Sequence, residues 1–260
     1  MTNIIKFAVL DTETTGLDPE TCDLVEIAYV VVSYDKTTGR ADIGGSFETY
    51  VNPGVPIPPE VSAIHHIIDE DVEGAPSPAE AVEMLRTSLA HHGVHVIAAH
   101  NARFDEAFIL KHVPVTGWIG APWVCTQRMA IRHMPNLPGY SNQTLRYALK
   151  IKGIDRHGPT HRALFDARVT AGILVHMLEN GLLELARANV EPAPWSEDLG
   201  ALLAYSSDPI EIRRFYFGKH RGKLLSEVPI DYLRWCSTQG FGDPDLSASV
   251  KKELARRLST

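Results

Sequence analysis

The chain has 260 residues, 44% hydrophobic and 22% charged, which suits a soluble globule with one large core or a core plus an appendage and excludes a disordered chain. No apolar stretch approaches the roughly 18 residues of a membrane span, and Cys22, Cys125 and Cys236 have no zinc or redox spacing, so the expectation is a cytoplasmic protein with reduced thiols and no membrane partner. A formal charge of −7 argues against nucleic acid gripped over the whole surface, but residues 1–200 carry 15 Lys/Arg against 25 Asp/Glu while residues 201–260 carry 10 against 7, leaving room for local grip.

The first predicted element is a buried strand over 6–11 that ends on a carboxylate. Further β-rich runs follow at 25–33 and 47–51, the latter entered through 42–46, with the turn Asp-Lys-Thr-Thr-Gly at 35–39 between them. Segment 52–59 is too rich in Pro and Gly to continue a strand. Ala81, Leu85 and Leu89 share one face of a helix predicted over 76–91. A short apolar strand at 94–99, a helix at 102–111, a strand at 121–126 and helices at 142–149 and 160–178 complete an α/β body of mixed order over 1–185. Residues 186–207, with Pro192, Pro194 and Trp195, read as a linker to a small basic α+β unit over 208–260, whose helices are predicted at 229–236 and 247–258. About 50 residues is near the lower limit for a private core, so docking onto the body is as open as a free module.

The sharpest chemical signal is Asp11-Thr12-Glu13 at the end of the first strand. Residues i and i+2 of an extended chain point to one face, so Asp11 and Glu13 lie side by side, which is costly unless protons or cations fill the gap. After the strand at 94–99 comes His100-Asn-Ala-Arg-Phe-Asp105, in which Phe104 is expected to plug the core and Asp105 to face a cleft. Finally, His161-Arg-Ala-Leu-Phe-Asp166 opens the long helix. Five residues turn a helix by about 500°, so His161 belongs at the helix entry or the preceding loop while Asp166 points into the site. Each block alone could be a cap, a surface ion pair or a satisfied core histidine. Together they offer oxygen ligands that suit Mg²⁺ or Mn²⁺ and a histidine able to exchange a proton near neutrality.

These three blocks resemble the three exonuclease motifs of the DEDDh branch of the proofreading-exonuclease superfamily, over roughly residues 4–180. The resemblance implies a ribonuclease H-like mixed sheet flanked by helices and 3′→5′ hydrolysis of DNA or RNA with two Mg²⁺ ions, Mn²⁺ being an expected substitute. It implies that Asp11 bridges both ions, that Glu13 and Asp166 complete the shell of the first, and that Asp105 holds the second, partly through water. His161 would be the general base, and the product a nucleoside 5′-monophosphate. Val61-Ser-Ala-Ile-His-His66 is similar to a segment of the DNA-specific members, where Ala63, Ile64 and His65 would line the terminal-nucleotide pocket; which of His65 and His66 faces inward stays open. Trp123-Val-Cys-Thr126, Tyr140-Ser-Asn-Gln-Thr-Leu145, Phe217-Gly-Lys-His-Arg-Gly-Lys223 and Tyr232-Leu-Arg-Trp235 extend the likeness to the exodeoxyribonuclease X subfamily.

On the same likeness Thr12, Thr14 and Thr15 would meet the terminal nucleotide, and Leu17 would wedge beside its base or merely close the turn. Asn101 would cap its helix or help place the second ion's water, Arg103 would reach a phosphate or stay solvated, and Phe104 would border the substrate. Gly218-Lys-His-Arg-Gly222-Lys223 lacks the spacing of a Walker loop. Its Lys219, His220, Arg221 and Lys223 could touch a DNA backbone, brace the chain internally or meet a protein, and Phe215, Phe217, Tyr232 and Trp235 are expected in a small core more than as stacking platforms. The partner expected is DNA with a 3′ end, single-stranded or duplex; a polymerase partner is disfavoured by the C-terminal extension. An exoribonuclease, a polymerase-associated proofreading subunit and a non-catalytic nucleic-acid-binding module are the rival readings, and the oligomeric state is not legible.

Overall fold

The computed structural model describes residues 3–113, 121–155, 159–189, 197–215, 217–239 and 243–258. Met1–Ser206 and Ser207–Thr260 are two compact units. In the first, β1 (Ile4–Thr14), β2 (Leu24–Asp35) and β3 (Arg40–Tyr50) form an antiparallel meander. The short helices α1 (Pro59–His65) and α2 (Asp69–Val72) precede α3 (Pro78–His92), β4 (Val96–Ala99), α4 (Arg103–Lys111) and β5 (Trp123–Cys125). Then come α5 (Thr126–His133), α6 (Asn142–Ala148), α7 (Ala163–Glu179), α8 (Leu182–Ala188) and α9 (Glu197–Ser207). The sheet order is β3-β2-β1-β4-β5, with β4 and β5 parallel to β1: a mixed, ribonuclease H-like α/β fold.

β1 explains the layers. Its odd residues Phe7 and Val9 join Val30, Val32, Val96 and Ala98 in the cluster that α7 covers with Val169, Ile173 and Leu174. Its even residues Ala8 and Leu10 join Ile27, Tyr29 and Ile97 under α3 and α4, represented by Leu85, Leu89 and Phe108. Continuing the alternation puts Asp11 and Glu13 on the α7 side, where apolar residues give way to carboxylates. The strand runs three residues beyond the predicted end, so both acids are held by a ladder that pairs Asp11 with Ala28 and Glu13 with Glu26 before the register shifts at Glu13/Thr14.

The linker expected over 186–207 is corrected by the structure where it is described. Ala201, Leu202 and Tyr205 of α9 belong to the α7-side core. Asp198 accepts hydrogen bonds from Lys36 (2.8 Å) and Arg187. The proline pair masked this helix in the sequence, and residues 190–196 lie outside the described set. The second unit has its own apolar cluster of Phe215, Leu225, Val228, Leu233, Cys236, Leu246 and Val250. Its described residues form α10 (Ile230–Gln239), α11 (Pro244–Leu258), two 3₁₀ turns and an antiparallel bridge between Arg214 and Leu224, so β content among them is slight. Among the described residues no single helix is long and apolar enough to cross a membrane.

Candidate active site

Three elements bring the acids together. Asp11 and Glu13 come from the end of β1 and Asp166 from the first turn of α7, and one carboxylate oxygen from each lies within 4.8 Å of the others. Asp105, in the first turn of α4, is 3% exposed and lies outside this 4.8 Å group, but near enough for its charge to act on Asp11, and its Oδ1 accepts a hydrogen bond from Thr12 Oγ1 at 2.9 Å. Because β4 is parallel to β1 with Leu10 opposite Ala99, the chain leaving β4 delivers α4 to the same end of the sheet.

Such crowding has an electrostatic signature. Burial first, then the charges of Asp105, Glu13 and Asp166, raises Asp11 well above the ordinary carboxylate range. Burial, then Asp166 and Glu26, pushes Glu13 up to about 8, with Arg162 pulling the other way. Burial raises Asp105 to about 7 despite the Thr12 hydroxyl. Asp166 is also raised by burial, opposed by the His161 backbone N–H and by Gln143. The group therefore needs protons or cations to offset its charge near neutrality, and its donors are all oxygens. The residues fit a hard divalent cation.

The entry to α7 is held by residues that motif reading left unassigned. Glu26, 3% exposed near the start of β2, accepts from Arg162 Nη2 (2.7 Å) and Nε (3.2 Å) and from the Ala163 backbone N–H (2.8 Å). Arg162 Nη2 also donates to Tyr50 Oη at 2.8 Å. His161 adopts a left-handed backbone (φ 60°), lies in the loop before the helix and is exposed. Its N–H donates to Asp166 Oδ2 at 2.8 Å. Gln143 Nε2 donates to Asp166 Oδ1 (3.0 Å), and Asn142 Nδ2 to the Asp166 carbonyl (3.2 Å). A lone carboxylate in the apolar run 25–33 was the one available signal for Glu26; for Gln143 there was only its place in a family-like segment.

Several of the expected substrate-contact residues also hold the fold together. The Thr12 hydroxyl is committed to Asp105, Thr14 Oγ1 donates to the Gly16 carbonyl (2.6 Å), and Thr15 Oγ1 accepts from the Asp23 N–H (2.9 Å), so these buried threonines brace the site and its turn. His65 is the inward-facing imidazole, 1% exposed, with Nδ1 accepting from the Ile67 N–H at 3.0 Å. Burial lowers its pKa while the neighbouring Thr14 carbonyl opposes the shift. Ala63 and Ile64, by contrast, are exposed on α1. Leu17 stands 85% exposed at the tip of the turn after β1. Asn101 is exposed with φ 69° and does not cap α4 through its side chain; Ala102 occupies that position. Arg103 is exposed, and Phe104 is half-buried with its ring 5.0 Å from Phe108. His100 ties β4 to the next segments through Thr126 Oγ1 (3.0 Å) and the Tyr140 carbonyl (2.7 Å).

In the second unit Lys219, Arg221 and Lys223 are exposed, but His220 is buried, its ring 4.5 Å from Tyr232, which removes it from the set of backbone contacts. Trp235 departs from the expected small core in the other direction and stands 45% exposed.

Comparison with known proteins gives a consistent set of likenesses. The family model described as exonuclease, of the RNase T type, matches residues 8–174, and one described as a quorum-sensing-regulated virulence factor matches residues 210–255. Exodeoxyribonuclease 10 of Escherichia coli strain K12 is 30% identical over 252 residues, covering 95% of this chain and 97% of the relative. The DNA polymerase III subunit epsilon of Treponema pallidum is 33% identical over 188 residues, covering 68% of this chain and 80% of the relative. Among solved structures, exonuclease X in complex with 5′-overhanging duplex DNA aligns with 29% identity and a TM-score of 0.52, over 68% of this chain and 92% of the other.

Proposed function

The chain belongs to the DEDDh exonuclease family and is a metal-dependent 3′→5′ exonuclease; from that premise we propose that its substrate is DNA, single-stranded or duplex, and its product a nucleoside 5′-monophosphate. The observation that carries the reading is the convergence of Asp11, Glu13 and Asp166 from β1 and α7, with Asp105 alongside and His161 at the entry of α7. The choice of DNA is supported by likeness to an exodeoxyribonuclease along nearly the whole chain, second unit included. That coverage also favours a free-standing enzyme over a polymerase-bound proofreading subunit.

Asp11, Glu13 and Asp166 would hold one Mg²⁺, and Asp11 with Asp105 a second; when bound, the ions supply positive charge at the scissile phosphate and lower the cost of the developing oxyanions. The remaining work falls to the chain. His161 takes a proton from the attacking water as its oxygen bonds to phosphorus, and the bond to the 3′-oxygen of the next nucleotide breaks in line. The left-handed backbone at His161, fixed by its N–H on Asp166, sets where the imidazole starts from. Leu17 meets the terminal base, Ala63 and Ile64 present the nearby surface of α1, and Arg103 reaches the phosphate backbone.

A time course on DNA and RNA oligonucleotides, single-stranded and duplex, each labelled at one end, tests this with Mg²⁺, Mn²⁺ or chelator. The expected pattern is stepwise shortening of DNA from the 3′ end, abolished by chelator and restored by either ion. Preferential shortening of RNA, or cleavage from the 5′ end, would overturn the substrate assignment.

A further inference from the structure

The second unit carries a face whose chemistry the exonuclease motifs do not explain. A tight turn begins it. The Phe215 N–H donates to the Lys223 carbonyl (2.8 Å), the Gly222 N–H donates to the Phe215 carbonyl (2.6 Å), and Gly218 and Gly222 both have left-handed backbones (φ 56° and 86°). A side chain on Gly218 would come within 3.2 Å of Tyr232 Oη, so the turn packs directly on that ring. Lys219 Nζ lies 5.1 Å from the centre of the Tyr232 ring, and the Trp235 ring is 5.1 Å further along α10, tilted by 40°. Beneath them His220 closes edge-on against Tyr232. Lys219, Arg221 and Lys223 are the exposed cations of this segment, and Lys219 stands over Tyr232, whose ring neighbours the exposed indole of Trp235. The carboxylates flanking this face are Asp231, 3.4 Å from Arg234, and Glu227, which accepts from the Leu224 N–H.

We propose that this face binds single-stranded DNA, with a base stacked on Trp235 and the flanking phosphates held by Lys219, Arg221 and Lys223. A cluster of exposed cations matches a polyanion, and a planar aromatic surface in the same unit matches unpaired bases, whose faces are accessible only in a single strand. No hydrogen-bonding pattern here reads one base over another, so binding is independent of sequence. The inference rests on the DNA exonuclease reading. Since both sites share one chain, DNA held at this face raises the effective concentration of strand for the catalytic site without any new contact there.

The test uses the full-length chain in chelator, so that nothing is cleaved, and fluorescence anisotropy with a labelled oligothymidylate. Trp235→Ala should weaken binding about tenfold, and Trp235→Phe should recover most of it. The triple variant Lys219→Ala, Arg221→Ala, Lys223→Ala should lower the slope of log affinity against log salt by about 2. Wild-type affinity in Trp235→Ala with an unchanged unfolding temperature, or an unchanged slope in the triple variant, overturns the proposal and points to a protein partner for this face. If Trp235→Ala unfolds early, the triple variant alone decides, since it alters only exposed side chains. Hydrolysis by the wild-type chain with Mg²⁺ is scored separately: its absence would remove the DNA exonuclease reading, whereas loss of binding in the variants reports on this face.

Discussion

Glu26 and Arg162 form an ion pair of 2.7 Å between the start of β2 and the residue just before α7, separated by 136 positions in the chain. Glu26 sits opposite Glu13 in the β1–β2 ladder, and Arg162 lies between His161 and the helix that carries Asp166. The same carboxylate that neutralises Arg162 receives the Ala163 N–H, one of the donors that a helix start leaves without an intrahelical partner. One buried acid therefore docks the helix carrying Asp166 onto the strand beside Glu13.

Glu26→Ala should separate stability from positioning. Arg162 is 28% exposed and keeps Tyr50 as a partner, so losing Glu26 chiefly strands the Ala163 N–H and part of the guanidinium and costs about 1–3 kcal/mol, read as a lower midpoint in urea unfolding. Hydrolysis by the fraction still folded should fall about a hundredfold, because small displacements of catalytic groups carry penalties of that size. Glu26→Gln keeps an acceptor for the Ala163 N–H and should recover part of the turnover with little change in KM. Wild-type turnover in folded Glu26→Ala would show that α7 holds its place without this anchor.

Asp11→Asn should have opposite effects on fold and function. Its carboxylate is raised by burial and by three neighbouring acids of the site, so removing the charge relieves repulsion in the metal-free chain. In chelator at pH 8 the unfolding temperature should hold or rise, while hydrolysis with Mg²⁺ drops on the order of a thousandfold. A lower unfolding temperature together with retained hydrolysis would contradict both parts.

The pH dependence of the metal-free protein follows from the raised groups. Glu13 at about 8 and Asp105 at about 7 bind protons more tightly folded than unfolded, where carboxylates titrate near 4. Their contribution to stability is thus fully present below about pH 4 and is lost as pH rises through 7 to 8. Differential scanning calorimetry in chelator should show a falling unfolding temperature across that window. Mg²⁺ should restore it, and more strongly at pH 8 than at pH 5, because cations replace protons only where protons have left. An unfolding temperature that is flat with pH in chelator would mean that burial and mutual repulsion do not raise these acids in the folded chain.

The acidic trio was legible because strand alternation and three spaced blocks are local properties: Asp11 and Glu13 share a face by parity, and Asp166 lies one turn into a helix. The anchor was not, because pairing Glu26 with Arg162 requires knowing that β2 lies under the start of α7. The bracing role of the threonines was hidden for a related reason: nothing local says that Thr12 reaches Asp105, that Thr14 closes onto the Gly16 carbonyl, or that Thr15 receives the Asp23 N–H. The helix at 197–207 was hidden because the prolines just before it outweighed the apolar spacing of Ala201, Leu202 and Tyr205, which becomes decisive only when the core they enter exists.

On the proposed reading, in which Leu17 meets the terminal base, Leu17→Ala separates substrate contact from stability. Leu17 is 85% exposed at the tip of the turn whose base is fixed by Thr14 and Thr15, so Leu17→Ala removes no core contact and should shift unfolding by less than about 0.5 kcal/mol. Covering a leucine with a base is worth about 1.5–3 kcal/mol of apolar burial, so the variant should raise KM for single-stranded DNA about tenfold. On blunt duplex DNA the loss should be larger and should appear in kcat as well, because an apolar side chain beside the last base also offsets the cost of unstacking it before hydrolysis. Equal kinetics of variant and wild type on both substrates would place the terminal base elsewhere, on the exposed surface of α1 at Ala63 and Ile64.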